Sequence, residues 1–168
     1  MTKRSPLLTI DYMKLLMDAD CLIKITKAGL KDLVVDANLL FIPDLVKREV
    51  VDTGKDKGCA DAFIVEENIE AQRITVVEST TQYPDGDEAL VALFHADKYD
   101  AVATDDAKLV RKFRMRNIPH VLPALLLHRL CRQKLITKEV ALGRLGQLAE
   151  FISDEEYSTV KLLLEKQT

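Results

Sequence analysis

Five short apolar runs alternating with helix-period segments predict an α/β chain: a three-layer α/β/α arrangement around a mainly parallel central sheet. Three observations carry that reading. The runs are continuously apolar rather than alternating, as strands buried on both faces are. The stretches between them are long enough to be crossovers. Strand and helix patterns also follow one another along most of the chain instead of segregating.

The first run is Met13 to Asp18, closing on an acid. Leu22 to Val35 has helical spacing at Leu22, Ile23, Ile25, Leu30, Leu33 and Val34, with Gly29 dividing it into two short helices. Leu39 to Pro43 is the second strand, and Pro43 stands at a helix start, where a missing amide costs little. Leu45, Val46, Glu49 and Val50 continue at helical spacing, and Gly54 and Gly58 then punctuate a loop. A helix from Asp61 to Ile69 leads to the third strand, Arg73 to Glu78. The turn Tyr83 to Asp87 opens a helix to about Lys98, and Asp100 to Thr104 is the fourth strand. A basic helix runs to about Arg116, before the fifth strand, Ile118 to Leu122. Helices follow over Pro123 to Gln133 and Thr137 to Phe151. The last begins at Ser153 with Glu156 three residues on, a capping-box pattern. Residues before about Ile10 show no period.

The totals agree with one globular unit. The chain has 168 residues, of which 48% are hydrophobic and 30% charged, which excludes a disordered tail protein. Aromatics make up 5% and Trp is absent, so the core is aliphatic and broad base-stacking platforms are not expected. A net charge of -3 argues against a basic nucleic-acid coat but not against a local contact patch. Cys21, Cys59 and Cys131 are far apart and make neither a disulfide framework nor a zinc ribbon. The N-terminal apolar stretch is broken by Asp11, Lys14 and Asp18, too charged for a secretory signal or membrane span. A cytoplasmic protein is expected.

In parallel sheets, sites form beyond the carboxyl ends of the strands at a switch point. Asp18 and Asp20 follow the first strand there, and Asp105 and Asp106 follow the fourth, just after Thr104. Glu49 and the pair Asp87–Glu88 sit in segments that also follow strands. One such acid is explained as a helix cap. Four groups on one rim would repel one another and weaken folding. A divalent cation reverses that cost, and hard oxygen ligands suit Mg²⁺ or Mn²⁺. Two such ions ~4 Å apart can activate water for phosphodiester cleavage.

The segment Leu15 to Ile23, LLMDADCLI, resembles the opening of the PIN-domain nucleases. Ile42 to Val51 is similar to that family's second block, and Gly86 to Asp106 to its third and fourth, ending Thr-x-Asp. The resemblance covers about residues 14–122 and implies one PIN-like domain over 1–168, with a core over about 13–122 and a helical extension over about 123–168. It implies a metal-dependent ribonuclease with Asp18, Glu49, Glu88 and Asp106 as catalytic ligands of Mg²⁺ or Mn²⁺. Thr104 would orient the last carboxylate. Asp20 stands where the family has a small polar residue and adds a carboxylate. Asp87 and Asp105 keep the same separation as Glu88 and Asp106, so either pair can line the site. The extension is similar to that of toxin-like members, which implies a homodimer and an antitoxin partner.

Lys108, Arg111 and Lys112, beside Arg114 and Arg116, are candidates to hold an RNA backbone, or form an ordinary solvated face. Cys21 is read as a core thiol, and Leu125, Leu126, Leu127 and Leu130 as core or subunit interface. Two other readings compete. Asp18-Ala19-Asp20 also fits the opening of haloacid-dehalogenase-like phosphatases, although Leu22 stands where those prefer a small hydroxyl residue and Glu49 would have no role. A catalytically silent PIN-like binding module is the other.

Overall fold

The computed structural model describes residues 11–79, 81–96 and 99–168. The stretch before Ile10 and the expected end of the helix at Lys98 lie outside the described residues.

The strands are β1 (Met13–Met17), β2 (Asn38–Pro43), β3 (Ile74–Val77), β4 (Ala101–Ala103) and β5 (His120–Val121). They form one sheet in the order β3-β2-β1-β4-β5 with every neighbouring pair parallel. The chain therefore walks outward from β1 to β3, returns, and walks the other way through β4 and β5. The switch point lies between β1 and β4, where ligand sites of such sheets form. The Asp18 amide donates to the Ala103 carbonyl at 3.2 Å and ties the ends of those two strands together.

β1 is the centre of the molecule. Leu15, Leu16 and Met17 have no exposed surface. The period-2 pleat sends Leu15 and Met17 to one core and Leu16 to the other. The larger core packs α1 (Ala19–Lys27), α2 (Lys31–Ala37) and α5 (Ala60–Glu70) with the C-terminal helices α8 (Pro123–Arg132), α9 (Lys138–Leu148) and α10 (Asp154–Glu165). The smaller packs α6 (Gly86–Ala96) and α7 (Ala107–Met115) around Leu90, Leu109 and Phe113. Helices on both faces of a parallel sheet give the three layers expected. Leu126, Leu127 and Leu130 are buried core, while Leu125 is half-buried.

Local structure departs from expectation at three places. Gly54 is not a loop residue. α3 (Asp44–Lys47) runs on through a π-helical stretch, Arg48–Thr53, into a last turn, α4 (Gly54–Asp56). Gly54 is needed for close approach, since a Cβ there would meet Ala62 Cβ at 2.9 Å. Gly58, at φ +72°, is where the chain turns away.

β5 is shorter than expected, two residues rather than five. Pro119 has no amide to add to the ladder, although its carbonyl accepts from Val102 at 2.9 Å.

The capping box of α10 is half formed. Ser153 accepts from the Glu156 amide at 3.1 Å, but the Glu156 side chain reaches across to accept from the Ala124 amide at 2.9 Å. Glu156 thus caps α8 instead of its own helix.

Candidate active site

Asp18 closes β1 and is the N-cap of α1. Its Oδ1 accepts from the Cys21 amide at 2.7 Å, and its Oδ2 accepts from the Thr104 hydroxyl. The carboxyl is 6% exposed, and burial pushes its pKa up to about 7 against the hydrogen bonds that favour ionisation. Thr104 is fully buried at the end of β4, and its oxygen also accepts from the Asp106 amide at 3.1 Å. The hydroxyl therefore orients the first carboxylate and the backbone of the last. It reaches the last acid through that residue's amide rather than its carboxylate.

Asp106 caps α7, its Oδ1 accepting from the Leu109 amide at 2.8 Å. Asp85 caps α6 in the same manner, accepting from the Glu88 amide at 2.9 Å. Each cap follows a strand on the carboxyl rim, so the bonds that start the helices also fix the acids in place.

A cavity of about 200 Å³ opens here between the ends of β1 and β4 and the first turns of the flanking helices. Its acids are Asp18, Asp20, Glu49, Asp85, Asp87 and Asp106; its remaining walls are Ala19, Val46, Gly86 and Leu90. Among the described residues, no lysine or arginine lines it. Burial first, then the charges of Asp85 and Asp106, raise the Asp87 carboxyl above its usual range. Glu49 stands on the π-helical stretch, a local irregularity common at functional sites.

Two expected members lie elsewhere. Glu88 turns away from the cavity to an ion pair with Lys112 of α7. Asp105 is bound by Lys24 of α1 at 2.7 Å and faces a different cavity. Of the two candidate pairs, Asp87 from one and Asp106 from the other line the cavity. Neither sequence-equivalent pair lines the cavity whole. Asp20 is there, 61% exposed and paired with Lys24 at 2.7 Å. Asp85 is the site acid that sequence reasoning missed. The signal was available, as an Asp three residues before Glu88 at a helix start, but it was absorbed into the turn.

Of the basic candidates, Lys112 is engaged by Glu88, while Lys108 and Arg111 stand exposed on α7 and do not line the cavity. Cys21 is buried, and burial pushes its thiol well above the ordinary range, as for a core thiol. Among the described residues, no helix is long and apolar enough to cross a membrane.

Fold and site together define a three-layer α/β protein with an acid-rich cavity at the switch point of a parallel sheet. Residues 14–166 match the family model described as a PIN domain, so the chain belongs to the PIN-domain family and has a nuclease fold. No curated protein matches it. PIN-domain nucleases typically use divalent metal ions. The donor set fits such an ion: hard carboxylate oxygens, of which only Asp20 is ion-paired among the described residues, with Asp18 held by the kind of hydrogen bonds that orient ligating carboxylates. As they stand, no three His, Cys, Asp or Glu side chains among the described residues converge closely enough to hold an ion. Loading would have to draw the carboxylates together.

Proposed function

We propose that the chain is a divalent-metal-dependent ribonuclease, hydrolysing RNA phosphodiester bonds at the acidic cavity. The observation that carries this reading is the cavity itself: six carboxylates from four segments of the chain face one space, with no basic side chain among its described walls. Asp18, Glu49, Asp87 and Asp106 would hold Mg²⁺ or Mn²⁺, with Asp20 and Asp85 at the edge. The ion supplies a polarised water and neutralises charge on the phosphate. The protein's own groups do the positioning. Thr104 and the Cys21 amide fix Asp18, while the Leu109 and Glu88 amides fix Asp106 and Asp85. Lys108 and Arg111 on α7, beside the rim, suit contacts to the RNA backbone that add affinity without sequence choice.

The same reading makes the chain one domain, cytoplasmic, homodimeric and the toxin of a toxin–antitoxin pair. Light scattering of the purified chain tests the dimer, and co-expression with the neighbouring reading frame tests the antitoxin.

The phosphatase alternative needs Asp18 and Asp20 to act as a pair. They sit in unlike settings, one buried and the other exposed and ion-paired, with four more acids at hand. For the silent-module alternative, Mn²⁺ titration decides: wild type should bind and Asp18→Asn should not.

The central test incubates a mixed RNA pool with the protein in Mg²⁺ or in EDTA, comparing wild type with Asp106→Asn. Cleavage that depends on metal and falls at least about 100-fold in the variant is the expected result. Cleavage that survives both EDTA and the substitution would overturn the assignment.

A further inference from the structure

The acids at the carboxyl rim fall into two electrostatic groups. Beside the effect of burial, the charges that press on Asp18 are those of Asp105 and Asp20. Beside burial, those that press on Asp87 are Asp85, Asp106 and Glu88, opposed by Lys112, which is itself bound to Glu88 outside the cavity. The first group already contains a cation. The Lys24 ammonium bridges Asp20 and Asp105, at 2.7 Å from each. The second has none among its described cavity walls.

Lys24 is not an ordinary surface ion pair. It stands on α1 one turn after Asp20, its side chain is 19% exposed, and it reaches the end of β4, 81 residues further on. The Asp105 side chain that it meets there is more buried still. Burial works against the ammonium, but the bonds to Asp105 and Asp20 outweigh it and hold its pKa above the ordinary lysine range. It is therefore charged throughout the neutral range. An ammonium is a compact point charge, and carboxylate oxygens on two sides of it are the surroundings that a divalent ion also takes. A metal ion placed between Asp20 and Asp105 would need the oxygens that Lys24 holds.

On the metal site of the ribonuclease reading, which this inference rests on, we propose that Lys24 stands in for the second cation of a two-cation centre, so that each chain loads one divalent ion and not two. Lys24 is thus a positioning residue. It keeps Asp20 at the edge of the cavity and Asp105 outside it, and leaves Asp18, Glu49, Asp87 and Asp106 to the exchangeable ion. Sites that use two ions set them ~4 Å apart and divide the charge between them. Here one of the two charges is part of the chain and cannot be removed by a chelator. A bridge with a structural role alone makes a different prediction: its loss would lower stability without changing the number of ions bound.

The experiment counts Mn²⁺ on the full chain without RNA, by calorimetry and by loss of the free-ion electron paramagnetic resonance signal. Wild type should bind one ion. Lys24→Met should bind two, and Mn²⁺ should raise its melting temperature more than that of wild type. Lys24→Gln keeps an N–H donor for Asp105, spares the fold if Lys24→Met does not, and should also bind two. Lys112→Met removes the same charge from the other group, at Glu88, and should still bind one. Two ions on wild type, one on the Lys24 variants, or two on Lys112→Met would overturn the role of Lys24 and leave the nuclease reading intact. No Mn²⁺ on wild type would sink the metal reading, and this role with it.

Discussion

The molecule holds two clusters of acids that look alike in sequence and behave in opposite ways. On the surface joining α2 to the start of β3, Arg73 reaches Asp32 at 2.9 Å and also pairs with Asp36, while sharing a hydrogen bond with Asn68. Burial is the largest single influence on Asp32 and works to raise it, but the bonds and charges of Arg73 and Lys31 together hold its carboxyl below the usual range. In the acidic cavity only Asp20, at its exposed edge, has such a partner among the described residues, and Asp18 and Asp87 are raised instead. The fold shows that it can neutralise carboxylates where neutrality is wanted. The acids left without an ion pair at the switch point are the ground on which the proposed cation site rests.

The largest test of this contrast is functional. Asp87→Asn removes a cavity acid and should lower metal-dependent RNA cleavage at least about 100-fold. Glu88→Gln, one residue along, only breaks the pair with Lys112 and should change cleavage less than about fivefold. Steady-state rates on a labelled RNA measure both. If Glu88→Gln were the more damaging, the assignment of the cavity would fall.

A second test concerns stability, where the two clusters should respond with opposite signs. Asp18 has a folded pKa of about 7 against an ordinary 3.8. Above pH 7 it is ionised in both the folded and the unfolded chain, and folding bears the whole cost of burying the charge. As pH falls from about 7 towards 4 the folded chain takes up its proton first, so the cost fades; below that it is gone. Asp18→Asn keeps an adequate N-cap and removes the charge. It should stabilise the metal-free protein by about 2–4 kcal/mol at pH 8, shrinking towards nothing near pH 4. Thermal melts across that range read the effect. Mn²⁺ should raise the melting temperature of wild type, less so below pH 7 where protons compete, and should leave Asp18→Asn unmoved.

Much of the fold is legible in the sequence because parallel strands buried on both faces read as unbroken apolar runs, and Leu15-Leu16-Met17 is such a run. The rim that carries the site is legible for the same reason, since an acid after a strand end can lie nowhere else. What is not legible is which of two adjacent acids turns inward. Successive residues in a first helical turn differ by about 100° of rotation, and the choice is made by a distant lysine. Lys112 claims Glu88 from 24 positions away, and Lys24 claims Asp105 from 81. Glu156 shows the same limit: its local pattern is a capping box, but the free amides of α8 take its side chain. The π-helical stretch under Glu49 has no local signature at all.

The smallest effect belongs to the compensated cluster. Arg73 is 36% exposed and its partners are two-thirds exposed, so solvent already screens these ion pairs. Arg73→Ala should destabilise the chain by less than about 1 kcal/mol, and high salt should shrink even that. Urea melts in low and high salt measure it, with RNA cleavage unchanged throughout. A loss of several kcal/mol, or of cleavage, would mean that Arg73 holds α2 and β3 in a way the active rim depends on. The two acid clusters would then not be independent. The small value is what would show that a carboxylate with a cation beside it is ordinary surface, and that only those without one are committed to a ligand.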